Sequence, residues 1–106
     1  MRSFLDSLGI DTTEFRDWIV VGIFYAAIHY YEAYFARYAK HSPTHGTRDG
    51  WIAMDDRIKD TYDDYRELKQ HRRQASHGTR NFSPVEIKNS ILPKLENIKS
   101  KILSLA

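Results

Sequence analysis

The hydrophobic pattern divides the chain into four helical stretches. From about Thr13 to Ala39 apolar residues fall on nearly every side of a helical wheel: Phe15, Trp18, Ile19, Ile23, Phe24, Ile28, Tyr31 and Phe35. A helix that is apolar all round is covered by others, so this one should be central. Asp11 or Thr12 can cap it, with Glu14 in its first turn. HSPTHG, residues 41–46, reads as a loop, and a short helix from Thr47 to about Met54 follows, with Trp51 and Ile52 facing inward. A third helix, from Asp55 or Asp60 to Ser76, repeats Ile58, Tyr62, Tyr65, Leu68, Arg72 and Ala75 at spacings of three and four. Gly78 stands where a glycine commonly ends a helix. The fourth helix opens on Ser83, Pro84 and Glu86, a capping box with proline at the first helical position. Its stripe is Ile91, Leu95, Ile98, Ile102 and Leu105, and Pro93 removes one backbone hydrogen bond and should kink it. There is no strand pattern, linker or low-complexity segment. HGTR occurs at 45–48 and again at 77–80, but the flanks differ and no repeat is implied. The expected fold is all-α: a single domain over residues 1–106, an antiparallel up-and-down bundle of about four helices.

Composition narrows the chemistry. Hydrophobic residues make up 42% and charged residues 28% of 106, the balance of a folded domain with a modest core. With no cysteine there can be no disulfide, thiolate zinc site or thiol nucleophile, which fits a cytoplasmic location. MRSFLDSLGIDTTEFRD lacks the apolar run and cleavage site of a signal peptide. Trp18 to Ile28 is apolar but meets His29 and Glu32, so it reads as a buried helix and not a membrane span. A net charge of +2 does not by itself indicate nucleic-acid binding, so the position of the charges decides.

They gather in HRRQASHGTR, residues 71–80, which holds His71, Arg72, Arg73, His77 and Arg80. The segment just before it carries Asp63, Asp64 and Glu67, so the cluster is not a general basic bias. Arg72 falls in the apolar stripe between Leu68 and Ala75. A buried unpaired guanidinium costs several kcal/mol, so it must meet a carboxylate such as Glu32, a cleft or a subunit interface. His77 lies at the helix end, where the dipole favours a cation. Imidazole can move a proton near neutral pH, and guanidinium can hold phosphate oxygens in its planar fork. Together they supply what phosphoryl chemistry needs.

The chain resembles the HEPN domains (higher eukaryote and prokaryote nucleotide-binding), and the resemblance covers almost all of it. DWIVVGIFYAAIHYYEAYFA at 17–36 is similar to the aromatic first helix of the small prokaryotic members. THGTR at 44–48, YRELKQHRRQASH at 65–77 and the closing helix from Ser83 follow in order. RRQASH supplies the R-x-x-x-x-H motif as Arg72 and His77. The resemblance implies a homodimeric, metal-independent endoribonuclease of the toxin or anti-phage kind, with Arg72 and His77 of two subunits meeting across the axis. The ribose 2′-hydroxyl would attack the adjacent phosphate, leaving 2′,3′-cyclic phosphate and 5′-hydroxyl ends, with no cofactor. As the alternative, it admits a non-catalytic, nucleotide-binding or interaction module paired with a small nucleotidyltransferase antitoxin. Several toxin members carry a tyrosine where this chain has Thr79. Other relatives align the arginine with Arg73, which on an unbroken helix shares a face with His77, while Arg72 diverges from it by roughly 140°. Either the helix unwinds before His77, or the partner subunit completes the site, or Arg73 is the working residue.

The remaining candidates are supporting ones. Arg73, Arg80, His45 and Arg48 are expected to bind substrate, and His71 and Glu32 to support the site, Glu32 by orienting Arg72. His29 is expected to be a satisfied core histidine. His29 and Glu32 would need further inward carboxylates to hold a metal, so no metal site is assigned. The tyrosines of the first helix, Tyr25, Tyr30, Tyr31, Tyr34 and Tyr38, suit a core or dimer interface better than a stacking platform. RNA and a second copy of the chain are the expected partners, and a membrane is not.

Overall fold

The computed structural model of the chain describes residues 13–38, 45–78 and 80–105. It is an all-α bundle, with no strand among the described residues. Helix α1 spans Thr13–Ala36, α2 His45–Met54 and α3 Tyr62–His77. A single 3-10 turn, Lys59–Thr61, leads into α3. Helix α4 runs from Pro84–Glu86 through a π-helical turn, Ile87–Ile91, into Leu92–Ser104. The expected caps of α1, Asp11 and Thr12, lie outside the described residues.

Helix α1 is central, as its apolar circumference requires, and packs against both α3 and α4. Its inward residues Val20, Phe24, Ala27, Tyr31 and Phe35 are buried with Leu68 of α3 and Ile98 of α4. Aromatic edges lock the α1–α3 contact: the Tyr31 and Tyr65 rings lie 5.4 Å apart at 85°, and Phe24 stands 6.1 Å from Tyr65. The buried Tyr31 hydroxyl shares a 2.6 Å hydrogen bond with the Thr61 hydroxyl, so the 3-10 turn is fastened to the central helix. Phe15–Ala36 is long and apolar enough to cross a membrane by length and composition, and half of that stretch is buried inside the bundle.

The ends of α4 follow its sequence. Ser83 Oγ accepts from the Glu86 backbone N–H at 3.0 Å, the capping half of the box. The reciprocal arm is diverted, because the Glu86 carboxylate pairs with Arg80. Pro93 acts one turn upstream. It has no N–H to offer, and the helix widens before it, so that Leu92 N–H bonds the Ile87 carbonyl, five residues back. The expected disturbance at Pro93 therefore takes the form of a π-helical turn.

Candidate active site

The site region is built on the last two turns of α3. Gly78 adopts φ +63°, ψ +26°, and its N–H bonds the carbonyls of Ala75 and Gln74. A residue without Cβ takes this left-handed turn at little cost, so α3 runs unbroken to His77 and stops there. Unwinding before His77 is therefore excluded. Arg73 and His77, four apart, share one face of the helix. Both are exposed, and neither side chain has a hydrogen bond or ion pair among the described residues.

Arg72 points elsewhere. It is half-buried, its guanidinium carbon lies 5.9 Å from the ring centres of both Phe24 and Tyr25 on α1, and its Nη2 approaches the Tyr25 hydroxyl at 3.4 Å. Aromatic faces and one hydroxyl, not a carboxylate, thus accommodate the charge. With Phe24, Lys69 and Arg73 it lines a small cleft of about 210 Å³. The expected Arg72–Glu32 pairing does not form. Glu32 Oε1 instead accepts from Arg48 Nε at 2.8 Å, because α2 delivers Arg48 against α1.

The other expected site residues divide sharply. Arg48 is 9% exposed, and its Nη1 is buried with no hydrogen-bond partner among the described residues. Its side chain is a tie between α1 and α2. His45 opens α2, and its side chain lies outside the described residues. Arg80 folds back over α3: its Nη1 is 3.0 Å from His71 Nδ1 and 3.3 Å from Gln74 Oε1, its Nη2 pairs with Glu86, and it covers the Phe82 ring at 4.8 Å. His71 also stands edge-on to Phe82. Burial lowers the pKa of His71 most; a hydrogen bond to Gln74, open only to a protonated Nδ1, opposes it, and the Arg80 charge lowers it further, so that the neutral ring accepts from Arg80 at Nδ1. His71 and Arg80 form a clamp that holds the α3–α4 connection. Of the cations in 71–80, Arg73 and His77 are the ones left open to solvent.

Residues that the sequence named without marking for solvent complete the surroundings. Phe15, Trp18 and Tyr25 are 44%, 67% and 42% exposed along one side of α1. Gly22 lies between them, and a Cβ there would meet nothing within 4 Å. Trp18, Val21, Gly22, Ala75 and Ser76 line an open cleft of about 540 Å³ between α1 and the end of α3. His29, expected in the core, is exposed on α1. On the other flank of α3, Asp49 of α2 accepts from the Tyr65 hydroxyl and from Lys69 Nζ. No period betrays Asp49, which sits beside Arg48, with both side chains paired across helices. Arg66 and Lys69, which the sequence reading passed over, line one cleft with Arg73, and their spacing of three and four along α3 is the signal that could have found them.

Among the described residues no group of three or more His, Cys, Asp or Glu side chains is placed to hold a metal ion. Compared with protein-family models, curated proteins and solved structures, the chain matches none of them.

Proposed function

We propose that this chain is a HEPN-type endoribonuclease acting as a homodimer without a metal. The observation that carries the reading is the end of α3, where His77 follows Arg73 by one turn, both without a partner among the described residues, and Arg72 leans out to the exposed aromatic side of α1. Other polar side chains nearby are consumed by the fold, as His71 and Arg80 are, whereas these are spared.

The exposed Phe15, Trp18 and Tyr25 form the docking face for a second copy. Arg72 touches that face through Tyr25, so dimerisation places it beside the two α3 ends. The arrangement then holds two imidazoles. A neutral His77 takes the proton from the 2′-hydroxyl as that oxygen attacks the adjacent phosphorus. The P–O5′ bond breaks, and a protonated His77 of the second copy gives its proton to the departing 5′-oxygen. Arg72 carries the charge that builds on the phosphoryl oxygens. The nucleophile belongs to the substrate, so positioning removes much of the barrier.

The test is an RNA oligonucleotide in EDTA, with end analysis. Cleavage leaving 2′,3′-cyclic phosphate and 5′-hydroxyl ends is expected, and one 2′-deoxy substitution at the mapped site should stop it. Loss of activity in EDTA that magnesium restores would overturn the reading.

A further inference from the structure

The flank of α3 that faces α2 carries a second feature. A cleft of about 510 Å³ opens there, lined by Asp49, Tyr62, Tyr65, Arg66, Lys69, Gln70 and Arg73. Its one carboxylate, Asp49, is already committed: one oxygen accepts from Tyr65 and the other from Lys69. It therefore offers little repulsion to an incoming anion, and the Lys69 charge is spent on it. What remains is cationic. Arg73 has no protein partner among the described residues. Among the described residues Arg66 reaches only Asp63, at 4.0 Å, with both side chains well exposed, a pair of little strength. The two arginines stand seven residues apart on one side of a continuous helix, about 10 Å along its axis. Arg73 also lines the smaller cleft that holds Arg72, so the two clefts share Lys69 and Arg73 and form one track. His77 lies one turn beyond Arg73 on the same face.

We infer that this track binds the phosphodiester backbone of single-stranded RNA and leads it to the end of α3. The inference rests on the ribonuclease reading for the identity of the strand. Its physical basis is independent: spaced guanidinium groups hold successive phosphates, and a tyrosine in the wall, Tyr62, gives an unpaired base a ring to lie against. A narrow cleft beside one helix suits a splayed strand and not a duplex. Arg66 thereby becomes a substrate-positioning residue, although it lies outside the R-x-x-x-x-H segment.

The experiment uses the full chain carrying His77→Ala, so that binding is read without cleavage. A fluorescein-labelled single-stranded RNA is titrated and its anisotropy followed over a range of salt. In that background Arg66→Glu and Arg73→Glu should each weaken binding by about fivefold or more and flatten the salt dependence by about 0.7 in slope for each phosphate no longer held. Lys99→Glu, the same charge change on α4, should leave binding within about twofold. Both arginines are exposed, so circular dichroism and melting should match the parent. No RNA binding, or equal weakening by Lys99→Glu, overturns the inference, since the second result means diffuse charge attraction. Selective weakening at Arg66 and Arg73 in a protein that never cuts RNA supports this groove while the ribonuclease reading fails. Cleavage by a wild type whose Arg66→Glu and Arg73→Glu forms bind RNA unchanged does the reverse.

Discussion

Glu32 of α1 is held by Arg48 of α2, Oε1 to Nε at 2.8 Å, in a setting where the arginine side chain is 11% and the glutamate 30% exposed. Breaking such a pair takes a charge-assisted hydrogen bond away from a largely buried carboxylate. Arg48→Ala should cost about 2–4 kcal/mol, a fall in melting temperature on the order of 10 °C. Glu32→Gln should cost less, and the double mutant should fall short of the sum. Additive losses in a thermal double-mutant cycle would show that the two residues stabilise α2 separately.

Trp18 is 67% exposed on α1, so its ring contributes little to the core of one chain. Sedimentation at micromolar concentration should give about twice the 12.5 kDa chain mass. Trp18→Lys should return the single-chain mass with the helical signal intact, and cleavage should disappear with the dimer. A wild type that sediments as a monomer at every concentration would remove the composite site.

Three substitutions separate the roles along α3. His77→Ala should lower the rate of cleavage by about a hundredfold to ten-thousandfold with unchanged melting, because the side chain is exposed. Arg72→Ala should act mainly on kcat, by about a hundredfold or more, as removal of a charge-stabilising donor does. Arg73→Ala should raise KM and leave kcat within a few-fold. The opposite split between Arg72 and Arg73, read from steady-state kinetics, would make Arg73 the catalytic arginine.

The clamp predicts a pH dependence of stability. Burial first, and then the Arg80 charge, hold the His71 pKa below the ordinary histidine value, while Glu67 and Lys94 act from further off and in opposite senses. A folded-state pKa lower than the unfolded one means that the unfolded chain takes up the proton first. Stability is therefore fully present above about pH 6.5 and declines as the pH falls below it. Melting temperature should drop more between about pH 7.5 and pH 5.5 in the wild type than in His71→Gln, which cannot titrate there. Equal drops in the two proteins would assign the acid sensitivity to other groups.

The local signals in the sequence were reliable because each is settled within a turn of helix. Gly78 ends α3, Ser83 caps α4, and Pro93 disturbs it, all through interactions between near neighbours. Long-range choices were not legible. The sequence reading set Glu32 beside Arg72, and only the placement of α2 gives it Arg48 instead. On α1 the apolar residues surround the axis so evenly that no side is marked for burial. Trp18 and Tyr25 could not be told from Phe24 and Tyr31, nor could His29 be seen to face outward. The candidate cluster itself was legible as a segment. Its division into a clamp, His71 with Arg80, and an open face, Arg73 with His77, depends on where Glu86 and Phe82 return after the turn.

The π-helical turn at Ile87–Ile91 gives α4 a tolerance that α1 lacks. Such a turn holds one residue more than an α-helical turn between flanks that keep their facing. Removing a single exposed residue there, Asn89 or Ser90, keeps Phe82 on one side and Ile98 on the other facing the core, with Pro93 still leaving one bond of a regular ladder unmade. The same deletion in the middle of α1 would swing every following side chain by about 100°. Changes in chain length are thus absorbed beside Pro93 and rejected in the central helix.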